Sequence, residues 1–104
     1  MHPEPRVDVR VASFRDLDTT TLYAILKLRS DVFVVEQKCA YADPDGRDAE
    51  TGTRHVWLAR GDDILAYLRI LDDGHAQRIS RVVTAPAARG AGHAARLLAH
   101  ALTV

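Results

Sequence analysis

Apolar and polar positions change rhythm several times along this chain. Val7-Asp8-Val9-Arg10-Val11 alternates apolar with charged residues, which predicts a half-buried strand. From about Thr20 to about Val34 the apolar positions recur at helical spacing, and Asp18 or Thr19 stands where a helix cap belongs. Lys38 to Thr53 is a polar loop around Asp43-Pro44-Asp45-Gly46, long for a small domain. Three strand-like runs follow, Arg54 to Arg60, Ile64 to Leu71 and Ala76 to Thr84, separated by Gly61-Asp62-Asp63 and Asp72-Asp73-Gly74-His75. Strands joined by such tight turns predict an antiparallel meander. From Gly92 to about Leu102, Ala94, Leu97, Leu98, Ala101 and Leu102 fall at i, i+3, i+4, i+7 and i+8, the stripe of an amphipathic helix lying on a sheet. The order β, α, loop, β, β, β, α defines an α+β layer arrangement, with no internal repeat and no low-complexity segment.

Composition narrows the classes of partner. The 104 residues suit one small domain with one core, spanning 1–104. Fourteen Lys and Arg balance fourteen Asp and Glu, and the basic residues are scattered, which argues against nucleic acid as a partner. A single cysteine, Cys39, excludes an internal disulfide and suits a reducing compartment. No apolar run approaches the roughly 20 residues that span a bilayer, and Met1-His2-Pro3-Glu4-Pro5-Arg6 lacks a hydrophobic signal region. The expectation is a cytoplasmic protein with no membrane partner.

The most informative stretch is Val82-Val83-Thr84-Ala85-Pro86-Ala87-Ala88-Arg89-Gly90-Ala91-Gly92-His93. A strand ends at a proline, and a glycine-rich turn then opens a helix. A helix N-terminus presents unpaired N–H groups and the positive end of the macrodipole, which suits a phosphate. Glycines let the backbone approach that phosphate closely. The turn therefore reads as a seat for the pyrophosphate of a nucleotide-like cofactor. Gly90-Ala91-Gly92-His93-Ala94-Ala95 formally fits the dinucleotide pattern G-x-G-x-x-A, but that pattern opens a parallel βαβ unit with an acidic residue about 20 positions on. Here the preceding strands form hairpins, and the chain reaches Val104 nine residues after Ala95. The P-loop pattern is absent.

Arg89-x-x-Gly92-x-Ala94 instead resembles the acyl-CoA signature R/Q-x-x-G-x-G/A of the GNAT N-acetyltransferase superfamily. A second set of residues resembles its ElaA-like branch: Leu22-Tyr23-Ala24-Ile25-Leu26-Lys27-Leu28-Arg29, Val32-Phe33-Val34-Val35-Glu36-Gln37-Lys38-Cys39-Ala40-Tyr41, Asp43-Pro44-Asp45-Gly46-Arg47-Asp48 and Thr53-Arg54-His55. The likeness runs from about residue 17 to 102. It implies a GNAT-like fold and acetyl transfer from acetyl-CoA to a primary amine, on a small molecule or peptide, by direct attack. It implies that Val82, Val83 and Thr84 sit on the splayed fourth strand beside the pantetheine arm, and that the N–H of Val83 or its neighbour polarises the thioester carbonyl. It implies that Arg89, Gly90, Ala91, Gly92, His93 and Ala94 surround the pyrophosphate. GNAT domains continue with a fifth strand, a helix and closing strands, so this chain resembles the first two-thirds of the fold. A non-catalytic coenzyme A-binding or interaction module, self-associating as a homodimer through an open sheet edge, is the alternative expectation.

Direct attack requires a proton acceptor, since a free lysine-type amine has a pKa of about 10.4. On a continuous α-helix with Leu22 at zero, Arg29 falls at about 340°, inside the apolar arc, and Glu36 beside it at about 320°. A charge facing the core must be paired or must line a cavity. Arg29 is thus expected to pair with Glu36 or bond loop carbonyls, while Glu36 is the first candidate for the catalytic base, ahead of Asp48 and His55. No acid for the leaving thiolate is identifiable. Ile79, Arg81 and Val83 are expected on one face of the last strand, with Arg81 facing either the cleft or solvent. Asp43 to Asp48 lacks the register of a calcium loop, the five histidines lack metal-ligand spacing, and Cys39 lacks a CxxC partner. No metal is expected. Trp57 and Tyr67 read as sheet residues under helices.

Overall fold

A computed structural model describes residues 6–38 and 40–104; Cys39 and the first five residues, on which the readings of a lone thiol and of the N-terminal segment fall, lie outside them. Four antiparallel strands form one sheet in the order β1 (Val7–Ser13), β2 (Arg54–Arg60), β3 (Asp63–Asp72), β4 (Gln77–Thr84). Among the described residues the α-helices are α1 (Thr19–Arg29) and α2 (His93–Ala101). Asp18 caps α1, its carboxylate accepting from the Thr21 N–H at 2.6 Å. No helix among the described residues is long and apolar enough to cross a membrane.

The helices cover opposite faces. Ile25 of α1 and Val32 pack on Trp57, Ala59, Tyr67 and Val83. Leu97 and Ala101 of α2 pack on Val56, Leu58, Ala66, Leu68 and Ile70. Alternation along β2, and along β3 from Ala66 onward, sends successive side chains to the two faces. Because both faces are covered, His55 to Ala59 is buried without a break. Trp57 and Tyr67 lie under α1, as expected. The α2 stripe is covered only in part: Leu98 and Leu102 are 37 % and 82 % exposed.

Two departures from the sequence-based expectation position the site. The first helix does not run as an α-helix to Val34. After Arg29 it widens into a π turn over Ser30–Glu36, and the Gln37 N–H donates to Val32 O at 2.9 Å, five residues back. A wider turn advances each residue by less than 100°, so Glu36 rotates away from Arg29. The predicted Arg29–Glu36 pair does not form.

The second departure lies in β4. Tyr67 is opposite Val83, but Arg69 is opposite Ser80. One residue of β3, Leu68, thus faces two of β4, which is a bulge at Arg81–Val82. Arg81 has φ 56°, in the left-handed region that a non-glycine residue seldom occupies. The extra residue breaks strict alternation. Ile79 packs on the α2 side and Val83 on the α1 side, rather than both on one face.

Candidate functional site

The long loop is held by six charged side chains. Arg29 is fully buried. Its Nε donates to Asp43 Oδ2 at 3.0 Å, its Nη1 to Asp48 Oδ1 at 2.6 Å, and its Nη2 to the Asp43 carbonyl at 2.7 Å. Arg69 of β3 reaches Asp45 at 2.8 and 3.0 Å, Asp48 at 3.0 Å and the Ser80 hydroxyl at 3.2 Å. Arg81, at the bulge, donates to the Asp43 carbonyl at 3.2 Å and to Asp45 at 3.3 Å. Its Nε is 3.0 Å from Asp43 Oδ1 without hydrogen-bond alignment, and its guanidinium lies 5.0 Å from the Tyr41 ring centroid. The loop read as a polar turn is therefore the acidic half of a clasp whose basic half comes from α1, β3 and β4. The strained Arg81 backbone is fixed through its side chain.

The clasp accounts for two of the candidate bases. Burial raises the Asp48 carboxyl, but hydrogen bonds and charge from Arg29 and Arg69 outweigh it and hold it below the usual carboxylate range. The Arg69 hydrogen bond likewise holds Asp45 well below that range. His55 is buried, with Nε2 3.0 Å from the Asp48 carbonyl and Nδ1 2.7 Å from the Tyr67 hydroxyl. A carbonyl only accepts, so Nε2 carries the proton and Nδ1 accepts from Tyr67. Burial lowers the His55 pKa, and Arg29 and Arg69 push the same way. Burial also lifts the Tyr67 hydroxyl above its ordinary value. Asp48 and His55 thus belong to the scaffold, not to the candidate proton acceptors.

The turn expected to hold the cofactor forms an open corner. After β4, Ala85 donates its N–H to Leu65 O at 2.9 Å, and a short 3₁₀ turn covers Pro86–Ala88. Ladder alternation then directs Val83 toward β3 and turns the Thr84 N–H and C=O to the free edge of β4. Of the pair offered for the thioester carbonyl, Val83 or its neighbour, Thr84 has the available amide. Val83 is buried and Val82 is exposed. Gly90 and Gly92 have φ 89° and 75°, which only glycine adopts without strain, and a Cβ on either would project into open space. Gly92 caps α2 with no side-chain hydrogen bond, and the Arg96 N–H to Gly92 O, at 3.1 Å, is the first bond of the helix. The first-turn amides of Gly92, His93, Ala94 and Ala95 precede that bond and lack an intrahelical acceptor.

Arg89, Ala91 and His93 line a cavity of about 510 Å³, closed on its other side by Arg60, Asp63 and Ile64 at the β2–β3 turn. The sequence reading missed that second wall. It was implicit in the meander, because the start of β3 must lie beside the end of β4. Glu36, at the end of the π turn, is partly exposed and pairs with Arg89 at 2.8 and 3.1 Å. The first-named base and the first-named phosphate cation therefore meet each other, across 53 residues of sequence. Among the described residues no group of three or more His, Cys, Asp or Glu side chains could hold a metal ion.

A bulged edge strand leading into a glycine turn and an uncapped helix, on a meander covered by helices on both faces, defines an acyltransferase-like architecture. The acetyltransferase (GNAT) family model matches residues 20–104, and the chain belongs to that family. A UPF0039 protein of Mycobacterium tuberculosis is 48 % identical over 94 residues, 85 % of this chain and 60 % of its own length. ElaA of Escherichia coli is 45 % identical over 78 residues, 72 % of this chain and 51 % of its own. The crystal structure of that species' ElaA superposes with a TM-score of 0.87 at 35 % identity, covering 94 % of this chain and 68 % of the other. An acyl-CoA N-acyltransferase from Pseudomonas aeruginosa superposes with a TM-score of 0.88 at 42 % identity, over 94 % of this chain and 69 % of that one. The acyl-CoA N-acyltransferase fold and the ElaA likeness read from the sequence are both present. The chain spans 51–60 % of the length of these two curated relatives.

Two outcomes follow from the clasp. Arg29→Leu leaves Asp43 and Asp48 buried without their shared cation and lowers unfolding stability by about 3–5 kcal/mol in urea titration; a loss below about 1 kcal/mol contradicts the clasp. The second concerns pH. A group whose folded pKa is depressed binds fewer protons folded than unfolded, so stability rises with pH between the two values. For Asp45 and Asp48 the contribution is complete above the ordinary 3.8 and is lost as pH falls below it. For His55 it is complete above the ordinary 6.5 and declines as pH falls toward the lowered value. His55→Gln removes the decline that begins below pH 6.5 and keeps the one below 3.8, as read by denaturant midpoints across pH.

Proposed function

We propose that this chain provides the cofactor-binding part of an N-acetyltransferase that moves an acetyl group from acetyl-CoA to a primary amine on a small molecule or peptide. The observation that carries the reading is the corner at Gly90–Ala94. Its helix start has no side-chain cap, its glycines hold positive φ, and Arg89 stands on the wall of the adjoining cavity. These residues fit a diphosphate, because unpaired amides, a helix dipole and a guanidinium all favour the same charge. When bound, acetyl-CoA supplies the acetyl thioester. The α2 amides and Arg89 hold its phosphates, and the outward backbone of Thr84 is available to the thioester arm. Glu36 accepts the proton that the attacking amine releases, directly or through water. Acetyl would pass from sulfur to nitrogen, and the coenzyme A thiolate would leave and take up a proton from water to become the second product.

A second reading, a non-catalytic module that binds coenzyme A and self-associates, is favoured by one feature. β4 stands at the edge of the sheet, while Leu98 and Leu102 of α2 remain exposed. One experiment separates the readings. Calorimetry with coenzyme A gives a saturable isotherm for the chain and loses it for Arg89→Glu, by at least tenfold in Kd. Thiol release from acetyl-CoA with a panel of amines then detects transfer. Binding without release supports the module; an isotherm unaffected by Arg89→Glu removes the cofactor assignment from this corner.

A further inference from the structure

Glu36 and Arg89 come from separately anchored elements. The π turn is fixed by Val32 on the α1 face, and the corner leads into α2, fixed by Leu97 on the other face. One guanidinium nitrogen, Arg89 Nη2, lies 2.8 Å from Oε1 and 3.1 Å from Oε2 of Glu36, and so spans the whole carboxylate. The two side chains are 45 % and 43 % exposed. An ion pair so open to water contributes little to folding. Its position matters more, since it occupies a cation on the wall of the cavity beside the uncapped helix start.

We propose that Glu36 and a cofactor phosphate compete for Arg89, so that binding the cofactor releases the Glu36 carboxylate. The inference rests on the reading of the corner as a diphosphate site. Glu36 stands in for the anion while the corner is empty. A phosphate offers the same guanidinium more charge and more acceptor oxygens, and the α2 amides reinforce its hold. Arg89 changes partner, and Glu36 becomes free to accept a proton from an incoming amine. The coupling is reciprocal: whatever the phosphate does to the Glu36–Arg89 pair, the pair does equally to phosphate affinity. The carboxylate that serves the reaction therefore weakens cofactor binding, and cofactor is favoured to bind before the amine acts.

The test compares Kd values for coenzyme A and for acetyl-pantetheine, which carries the thioester arm without the diphosphate. Glu36→Gln tightens coenzyme A by about two- to fivefold, the range expected for an exposed pair, and leaves acetyl-pantetheine unchanged. In an Arg89→Gln background the same substitution has no effect, because the competition runs through Arg89. Coenzyme A affinity that is unchanged or weaker in Glu36→Gln overturns the proposal, as does tightening that persists without Arg89, which marks a long-range charge effect. Equal tightening of both ligands also overturns it, since it reports a looser cleft. Binding by the wild-type chain that is lost in Arg89→Glu keeps the diphosphate site even when the competition fails. Absence of any wild-type binding removes both.

Discussion

A guanidinium with no exposed surface, Arg29, must be neutralised where it lies, and the rest of the architecture follows from how that is done. The carboxylates come from a loop 14 and 19 residues further on, Asp43 and Asp48, so satisfying one buried cation orders the segment between α1 and β2. Asp48 is then shared with Arg69, and Asp43 and Asp45 with Arg81. Three cations and three carboxylates join α1, the loop, β3 and β4 into one unit. His55 and Tyr67 complete it: Tyr67 donates to His55, and His55 donates to the Asp48 carbonyl. Such a network rigidifies as its members are satisfied, and among these guanidinium and carboxylate groups Arg81 Nε alone lacks an aligned acceptor.

The clasp matters for function because Arg81 belongs to it. The bulge at Arg81–Val82 shifts the parity of β4, places Val83 under the α1 face, and leaves Thr84 to turn its backbone outward just before the corner. Positive φ at Arg81 costs energy that the side-chain bonds to Asp43 and Asp45 offset. The chain from loop carboxylates to strand distortion to glycine turn is thus continuous in space, although the residues lie 36 to 38 positions apart in sequence.

Most of the fold was legible because its signals are local. The β1 alternation, the two tight turns of the meander and the α2 stripe each require only neighbouring residues, and the elements formed within two or three residues of their expected ends. The glycine corner was legible for the same reason: positive φ at Gly90 and Gly92 and a helix without a cap are written in a few adjacent positions. Of the Arg29 partners, the loop carbonyl expected as one alternative is present at Asp43, but the Asp43 and Asp48 carboxylates were not legible. A wheel at 100° per residue assumes one helical pitch, and the π turn after Arg29 changes it, so Glu36 went to the wrong neighbour. The bulge was equally silent, since Ile79, Arg81 and Val83 alternate well enough to read as one face. Asp43, Asp45 and Asp48 looked like turn chemistry, and only the approach of Arg29, Arg69 and Arg81 in space gives them their role. Glu36 and Arg89 were each singled out for separate reasons, and their pairing is a property of the folded chain.

The central claim is that the amides at the start of α2 face an open corner and hold a diphosphate. Titrating the isotopically labelled chain with coenzyme A, and following backbone amide shifts residue by residue, addresses it most directly. The account predicts saturable shifts centred on the amides of Gly90, Ala91, Gly92, His93 and Ala94, with Thr84 following. Shifts concentrated elsewhere, or a corner that stays unmoved while ligand binds, would contradict it.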